Sequence, residues 1–211
     1  MSNKRGLCCV FFGPDGCGKT SVAEGLKGAL SGSFDPTIGL HCHWKPLPQK
    51  NGCIPREDPH ALPARNALLS FVYFIHHYLP FLWGWWVHVN PVLNRGGMVI
   101  IDRYYYDFFV DLRRYRLNLS QWFMKLGFVF VKKPDLVFCL DADPEILQAR
   151  KKEVSFAECT RQREAYRELA DTLPNGHVID ASQSLDEVVS RVEKIVREYM
   201  SDRSAKWNGK S

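Results

Sequence analysis

With 211 residues, 45% of them hydrophobic and 24% charged, the chain suits one α/β domain and is too apolar to be a disordered protein. Its net charge of +5 is mild, which suits an anionic small ligand and calls for no nucleic-acid partner. The seven cysteines are scattered and odd in number, and Cys8, Cys9 and Cys139 sit in apolar runs; this excludes a disulfide framework and points to reduced core thiols of a cytoplasmic protein.

Met1 to Gly6 leads directly into an apolar run, Leu7 to Phe12, so no cleaved leader is expected ahead of it. That run is read as a buried strand. Gly13 to Thr20 follows as G-x-x-x-x-G-K-T, and Val22, Leu26 and Leu30 then recur at helical spacing. A strand, a glycine-rich turn and a helix are the setting that a phosphate-binding loop requires. Gly13, Gly16 and Gly18 allow positive φ and close approach to phosphate, and Asp15 and Cys17 complete the loop. The loop amides and the helix N-terminus form an anion cradle. Lys19 is expected to reach the donor phosphates and Thr20 to ligate Mg²⁺.

Thr37 to Trp44 reads as a second strand, and a proline-, glycine- and charge-rich loop runs on to about Arg65. His41, Cys42, His43 and Cys53 match no zinc spacing and are taken as strand and pocket residues. Ala67 to Val89 carries no Asp, Glu, Lys or Arg and is crowded with aromatic rings. It predicts two buried helical pieces broken near Pro80. Its tryptophans leave three settings open: plain core, a homodimer contact, or peripheral contact with the inner membrane face.

Met98 to Ile101 is a fully apolar strand, with Asp102-Arg103-Tyr104 at its C-terminal end, where open α/β sheets place ligands. Tyr105 to Met124 predicts helix. Asp135 to Leu140 is a further strand, Pro144 to Lys152 and Phe156 to Leu173 are helices, and His177 to Ile179 is a last strand. Ser184 and Glu187 form a capping box that opens a final amphipathic helix to about Met200, and the polar tail (203–211) is expected to fray.

This order of segments resembles the thymidylate kinase family: the P-loop, Asp102-Arg103-Tyr104 after a buried strand, and Pro134 to Glu145 followed by Arg150. Val178 to Ser182 looks like that family's adenine-side loop, with Ala181 against the base. The resemblance implies a P-loop NTPase three-layer sandwich, a parallel sheet with helices on both faces, in a single kinase domain (1–211) with a short lid (150–160). It implies ATP and Mg²⁺ as cofactors, Asp102 beside Thr20 at the metal, and Asp15, Lys19, Arg103 and Arg150 in transfer.

The acceptor half departs from the family pattern. Phe12 stands where the family has glutamate, Trp44-Lys45-Pro46 where it has Arg-Glu-Pro, and Phe81 where an arginine faces the acceptor. Asp107, Asp111 and Leu112 replace the serine, tyrosine and glutamine that hold the base. This is similar to the thymidylate kinase-like proteins that accompany bacterial surface-polysaccharide synthesis. Carboxylates near an acceptor would repel a phosphate and serve a hydroxyl. The expected acceptor is therefore a glycan or sugar hydroxyl, met by Trp44, Lys45, Phe81, Tyr105, Asp107 and Asp111. The alternatives are a divergent thymidylate or nucleoside monophosphate kinase, and a non-catalytic nucleotide-dependent switch.

Overall fold

The computed structural model describes residues 5–41, 63–112 and 115–208. Five strands form one parallel sheet in the order β2-β3-β1-β4-β5: β1 is Leu7–Phe12, β2 Thr37–His41, β3 Met98–Asp102, β4 Leu136–Asp141 and β5 Gly176–Asp180. Every residue of β1, β3 and β4 is buried, as apolar runs between two helical layers must be. The pleat divides each strand between two cores. Cys8, Val10 and Phe12 face a cluster with Phe74, Tyr78, Tyr105 and Tyr166. Leu7, Cys9 and Phe11 face the other, with Val22, Leu26, Val188 and Val192. This is the α/β architecture expected of a P-loop kinase.

The helices are α1 (Lys19–Ala29), α2 (Ala67–Gly84), α3 (Asn90–Asn94), α4 (Asp107–Val110), α5 (Gln121–Gly127), α6 (Pro144–Arg150), α7 (Phe156–Thr172) and α8 (Leu185–Asn208). Side-chain caps start several of them: Asn66 accepts from the Leu69 amide, Ser120 from Phe123 and Ser155 from Glu158. The capping box of α8 closes reciprocally, with Ser184 N–H on Glu187 Oε2 at 3.0 Å and Glu187 N–H on Ser184 Oγ at 3.4 Å.

Three expectations are corrected. The segment after Ala67 does not break at Pro80; α2 runs through it to Gly84. Proline there removes one helical hydrogen bond, and Phe74, Tyr78 and Phe81 hold the helix to the core on either side. The irregularity comes later, as a π turn over Trp85–Val89, where the Asn90 amide reaches the Trp85 carbonyl just before Pro91. The segment is also only half buried, because Leu69, Val72, Leu79, Trp83 and Trp86 face outward.

Tyr105 to Met124 is not one helix. Only α4 and the start of α5 are helical there; Arg116 has φ 53° between them, and Ser120 starts α5 afresh. Finally, α8 continues to Asn208. Arg203 donates to the Gly6 carbonyl at 3.1 Å and to that of Arg5, which ties the last turns to the first strand. The second strand is described to His41; Trp44, Lys45 and the rest of 42–62 lie outside the described residues.

Candidate active site

β1, β3 and β4 deliver the functional groups to the C-terminal edge of the sheet. β1 ends in the P-loop. Gly13 has φ 144°, and a Cβ there would sit 2.5 Å from the Leu140 carbonyl; Gly16 has φ 85°, and a Cβ would sit 2.8 Å from the Leu147 carbonyl. The loop is thus pressed against β4 and α6 where only glycine fits. Lys19 is buried, and its Nζ donates to the carbonyls of Gly13 at 2.9 Å and Pro14 at 2.8 Å, with Cys17 Sγ at 3.5 Å. Burial pushes the Cys17 thiol above its ordinary pKa, with Lys19 pulling the other way, so the thiol is neutral packing for the loop.

β3 ends at Asp102. Thr20 Oγ1 donates to Asp102 Oδ2 at 2.8 Å, which joins the start of α1 to the end of β3. A hydroxyl and a carboxylate side by side are hard oxygen donors, the set that suits Mg²⁺ beside a phosphate cradle.

Arg103 follows with φ 66°. Its amide donates to the Phe11 carbonyl at 2.9 Å, and this turns the side chain toward the P-loop. One guanidinium nitrogen donates to Asp15 of the loop and the other to Asp107 of α4 at 3.2 Å. Burial works against the Arg103 charge, but Asp107 and Asp15 more than offset it and hold its pKa above the ordinary arginine value.

These groups line one cleft of about 520 Å³, bounded by the P-loop, Asp102, Arg103, Arg150, Ala181 and Val188. Such a volume accommodates a nucleotide-sized ligand. Arg150 donates to the Ala181 carbonyl at 2.8 Å, so α6 and the loop after β5 meet across the rim. Every residue expected at the donor half therefore faces the same cavity or its loop.

The described residues expected at the acceptor, Phe81, Tyr105, Asp107 and Asp111, are all buried. Phe81 is core, 5.1 Å ring to ring from Tyr104. Tyr105 is fully buried and its hydroxyl donates to the Met124 carbonyl at 2.7 Å, so it offers no stacking face. Asp107 is 0% exposed and Asp111 1%. Asp107 accepts from Arg103 on one oxygen and from the Tyr166 hydroxyl on the other, at 3.0 Å.

Two groups were missed by sequence reasoning. Tyr166 in α7 is one. The other is the pair Arg163 and Arg167, one turn apart on α7, which grip Asp141 at the end of β4: Arg163 in two hydrogen bonds of 2.7 and 3.1 Å, Arg167 in one of 3.1 Å. The i, i+4 arginines were visible in the sequence; their shared carboxylate was not, because only the fold brings α7 over β4.

A family model described as thymidylate kinase matches residues 77–192. A "probable thymidylate kinase" of Staphylothermus marinus is 30% identical, covering 95% of this chain and 99% of its own length. One of Pyrobaculum aerophilum is also 30% identical, over 88% of this chain and 93% of its own. The thymidylate kinase of Xanthomonas euvesicatoria is 26% identical over 94% and 86% respectively. The family-model match takes in Asp102-Arg103, α6 and α7, the relatives span nearly the whole chain, and the chain belongs to the thymidylate kinase family of ATP-dependent phosphotransferases.

Proposed function

We propose that the protein is a nucleoside monophosphate kinase of the thymidylate class, which transfers the γ-phosphoryl group of ATP to the phosphate of a thymidylate-type acceptor. The observation that carries this reading is Arg103. It stands at the cleft between Asp15 and Asp107, with guanidinium N–H groups beyond those two bonds to offer an anion. The carboxylates that argued for a hydroxyl acceptor, Asp107 and Asp111, are buried, and Asp107 is bound to Arg103 rather than open to the cleft. With both of its oxygens engaged by Arg103 and Tyr166, Asp107 is poorly placed to act as a base on a hydroxyl acceptor. A phosphate acceptor is already a nucleophile and needs no base. The relatives named above are thymidylate kinases, none of them a polysaccharide enzyme, and this favours the nucleotide over the glycan.

In this reading the P-loop amides and Lys19 hold the donor phosphates, with the Lys19 ammonium exchanging its loop carbonyls for phosphate oxygens. Thr20 and Asp102 hold Mg²⁺, which neutralises the phosphate charge when bound. Arg103 orients the acceptor phosphate, and Arg150 with Lys151 covers the donor side as part of a short lid. Ala181 borders the adenine side. The buried thiols Cys8, Cys9, Cys17, Cys139 and Cys159 fit a reducing cytosol.

The test is a coupled ATP-consumption assay against thymidylate, other nucleoside monophosphates and free sugars. Thymidylate should turn over at about 1–100 s⁻¹, the common kinase range, with sugars at background. Turnover of a sugar, with no nucleoside monophosphate accepted, would overturn the proposal.

A second copy of the chain is the partner we infer. The outward residues of α2 and the π turn, Leu69, Val72, His76, Leu79, Trp83 and Trp86, follow at strict three- and four-residue steps. That is a helix-packing seam separate from the core-facing row Phe74, Tyr78, Phe81 and Trp85. Lys132 lies over the Trp86 ring at 5.5 Å, and Phe71 packs on Phe123 at 5.7 Å, so α5 and the stretch after it lie against α2, with Trp122 and Phe130 also exposed there. Among the described residues no helix is long and apolar enough to cross a membrane.

A further inference from the structure

Arg103 is held in an arrangement that is costly for a side chain. Its backbone is left-handed at φ 66°, a region that disfavours side chains with a Cβ. Its guanidinium is buried, and one of its two carboxylate partners, Asp107, is 0% exposed. Burying such a pair seldom adds net stability, since desolvation offsets the attraction. What it does supply is direction. From α7, the Tyr166 hydroxyl donates to Asp107 Oδ1 at 3.0 Å; Asp107 Oδ2 accepts from Arg103 at 3.2 Å; and Arg103 reaches Asp15 in the P-loop. Tyr166 is itself fixed, fully buried with its ring 5.5 Å from that of Phe12 at the end of β1. A second tie runs parallel to it: Arg161 of α7 donates to the Val110 carbonyl of α4 at 3.0 Å.

We propose that Asp107 and Tyr166 are positioning residues for the reaction. They aim the Arg103 guanidinium at the acceptor side of the cleft and tie its orientation to α7, the helix whose first turn belongs to the lid segment. This rests on the kinase reading of Arg103 given above. Asp107 touches no substrate in this role. It acts by allowing Arg103 one orientation out of several, and Tyr166 acts only by holding Asp107. A misplacement of about 1 Å in such a group costs on the order of 100-fold in rate.

The test compares Asp107→Asn, Tyr166→Phe and the double variant with the parent. Asp107→Asn keeps the shape and removes the charge; it should lower kcat about 10- to 100-fold with the KM for ATP changed less than about twofold. Tyr166→Phe should lower kcat in the same direction by a smaller factor. The double variant should be no slower than Asp107→Asn, because the two act in series. A readout independent of turnover is the ¹⁵N guanidinium NMR signal of Arg103, assigned by its loss in Arg103→Lys. Both single variants should broaden or shift it as the side chain gains freedom. If both variants keep full kcat and an unchanged Arg103 signal, and only the melting temperature falls, the pair is structural and the inference is overturned. Additive losses in the double variant would overturn the serial link through Asp107. If the parent protein accepts no nucleoside monophosphate, the acceptor reading fails, and the Arg103 signal still decides the positioning.

Discussion

Lys19 makes its hydrogen bonds within the P-loop, on two carbonyls and the Cys17 sulfur. Removing it leaves carbonyls that water at the cleft can satisfy, so the fold should survive. The rate should not. Lys19→Ala loses the P-loop cation at the donor phosphates, and deleting a single preorganised donor of this kind costs about 10²–10³ in kcat. The check is turnover together with the melting curve: a folded Lys19→Ala protein with full activity would refute the assignment. At this scale the donor half was legible in the sequence because its chemistry is local: Gly13 to Thr20 are contiguous, and Asp102-Arg103 ends a recognisable strand. The acceptor half was not. Whether Asp107 faces a ligand or a buried arginine depends on Tyr166, 59 residues away, and no local pattern encodes that.

Elements differ in how much of their setting they carry with them. The strands β1, β3 and β4 were legible because continuous apolar runs of this length, bounded by turns, have few alternatives. α2 was misjudged because one criterion, apolar content, was made to stand for burial. The residues exposed on its outer face repeat as regularly as those on its inner face, so the helix has two apolar rows and one core. The three tryptophans Trp83, Trp86 and Trp122 with Phe130 are 58–72% exposed. At ~150–250 Å² for each ring, they alone offer on the order of 500 Å². A standard interface buries about 800 Å² per partner, so these four rings supply most of one side. The segment Ala67 to Val89 bears no Asp, Glu, Lys or Arg, so two copies meeting along α2 would bury no unpaired charge from it. Light scattering after gel filtration should therefore report a dimer. Trp83→Ala should weaken it by about 2–4 kcal/mol, roughly 30- to 700-fold in Kd, as expected for a central aromatic anchor. A monodisperse monomer at tens of micromolar, of about 24.3 kDa, would rule the seam out as a self-association surface.

Across the whole molecule, the sheet order β2-β3-β1-β4-β5 places β1 at the centre. β1 carries the P-loop at its C-terminal end and is anchored at its other end by Gly6 on the Leu93 carbonyl at 2.6 Å and by Arg203 on Gly6 and Arg5. The last of these anchors escaped sequence reasoning. A polar tail looks solvated, and only the placement of the end of α8 next to Arg5 and Gly6 shows that its arginine has carbonyls to cap. Arg203 also lies over the Tyr199 ring at 6.0 Å, and Tyr199 in turn donates to Asp135 at 3.4 Å. The guanidinium thus joins α8 to the residues that lead into β1, through groups well removed from the cleft. Arg203→Ala should remove two hydrogen bonds from a charged donor. Such bonds are worth about 1.5–3 kcal/mol each when buried and less at this half-exposed site, so a total of about 1–2 kcal/mol is expected. For a chain of this size that lowers the melting temperature by roughly 2–8 °C. Because the anchor lies at the opposite end of β1 from the P-loop, kcat and both KM values should stay at parent levels. Calorimetry and steady-state kinetics on the same preparation check the two halves. A loss of turnover without a loss of stability would mean that α8 acts on the site, through Leu185 and Val188 at the cleft rim, rather than on the fold.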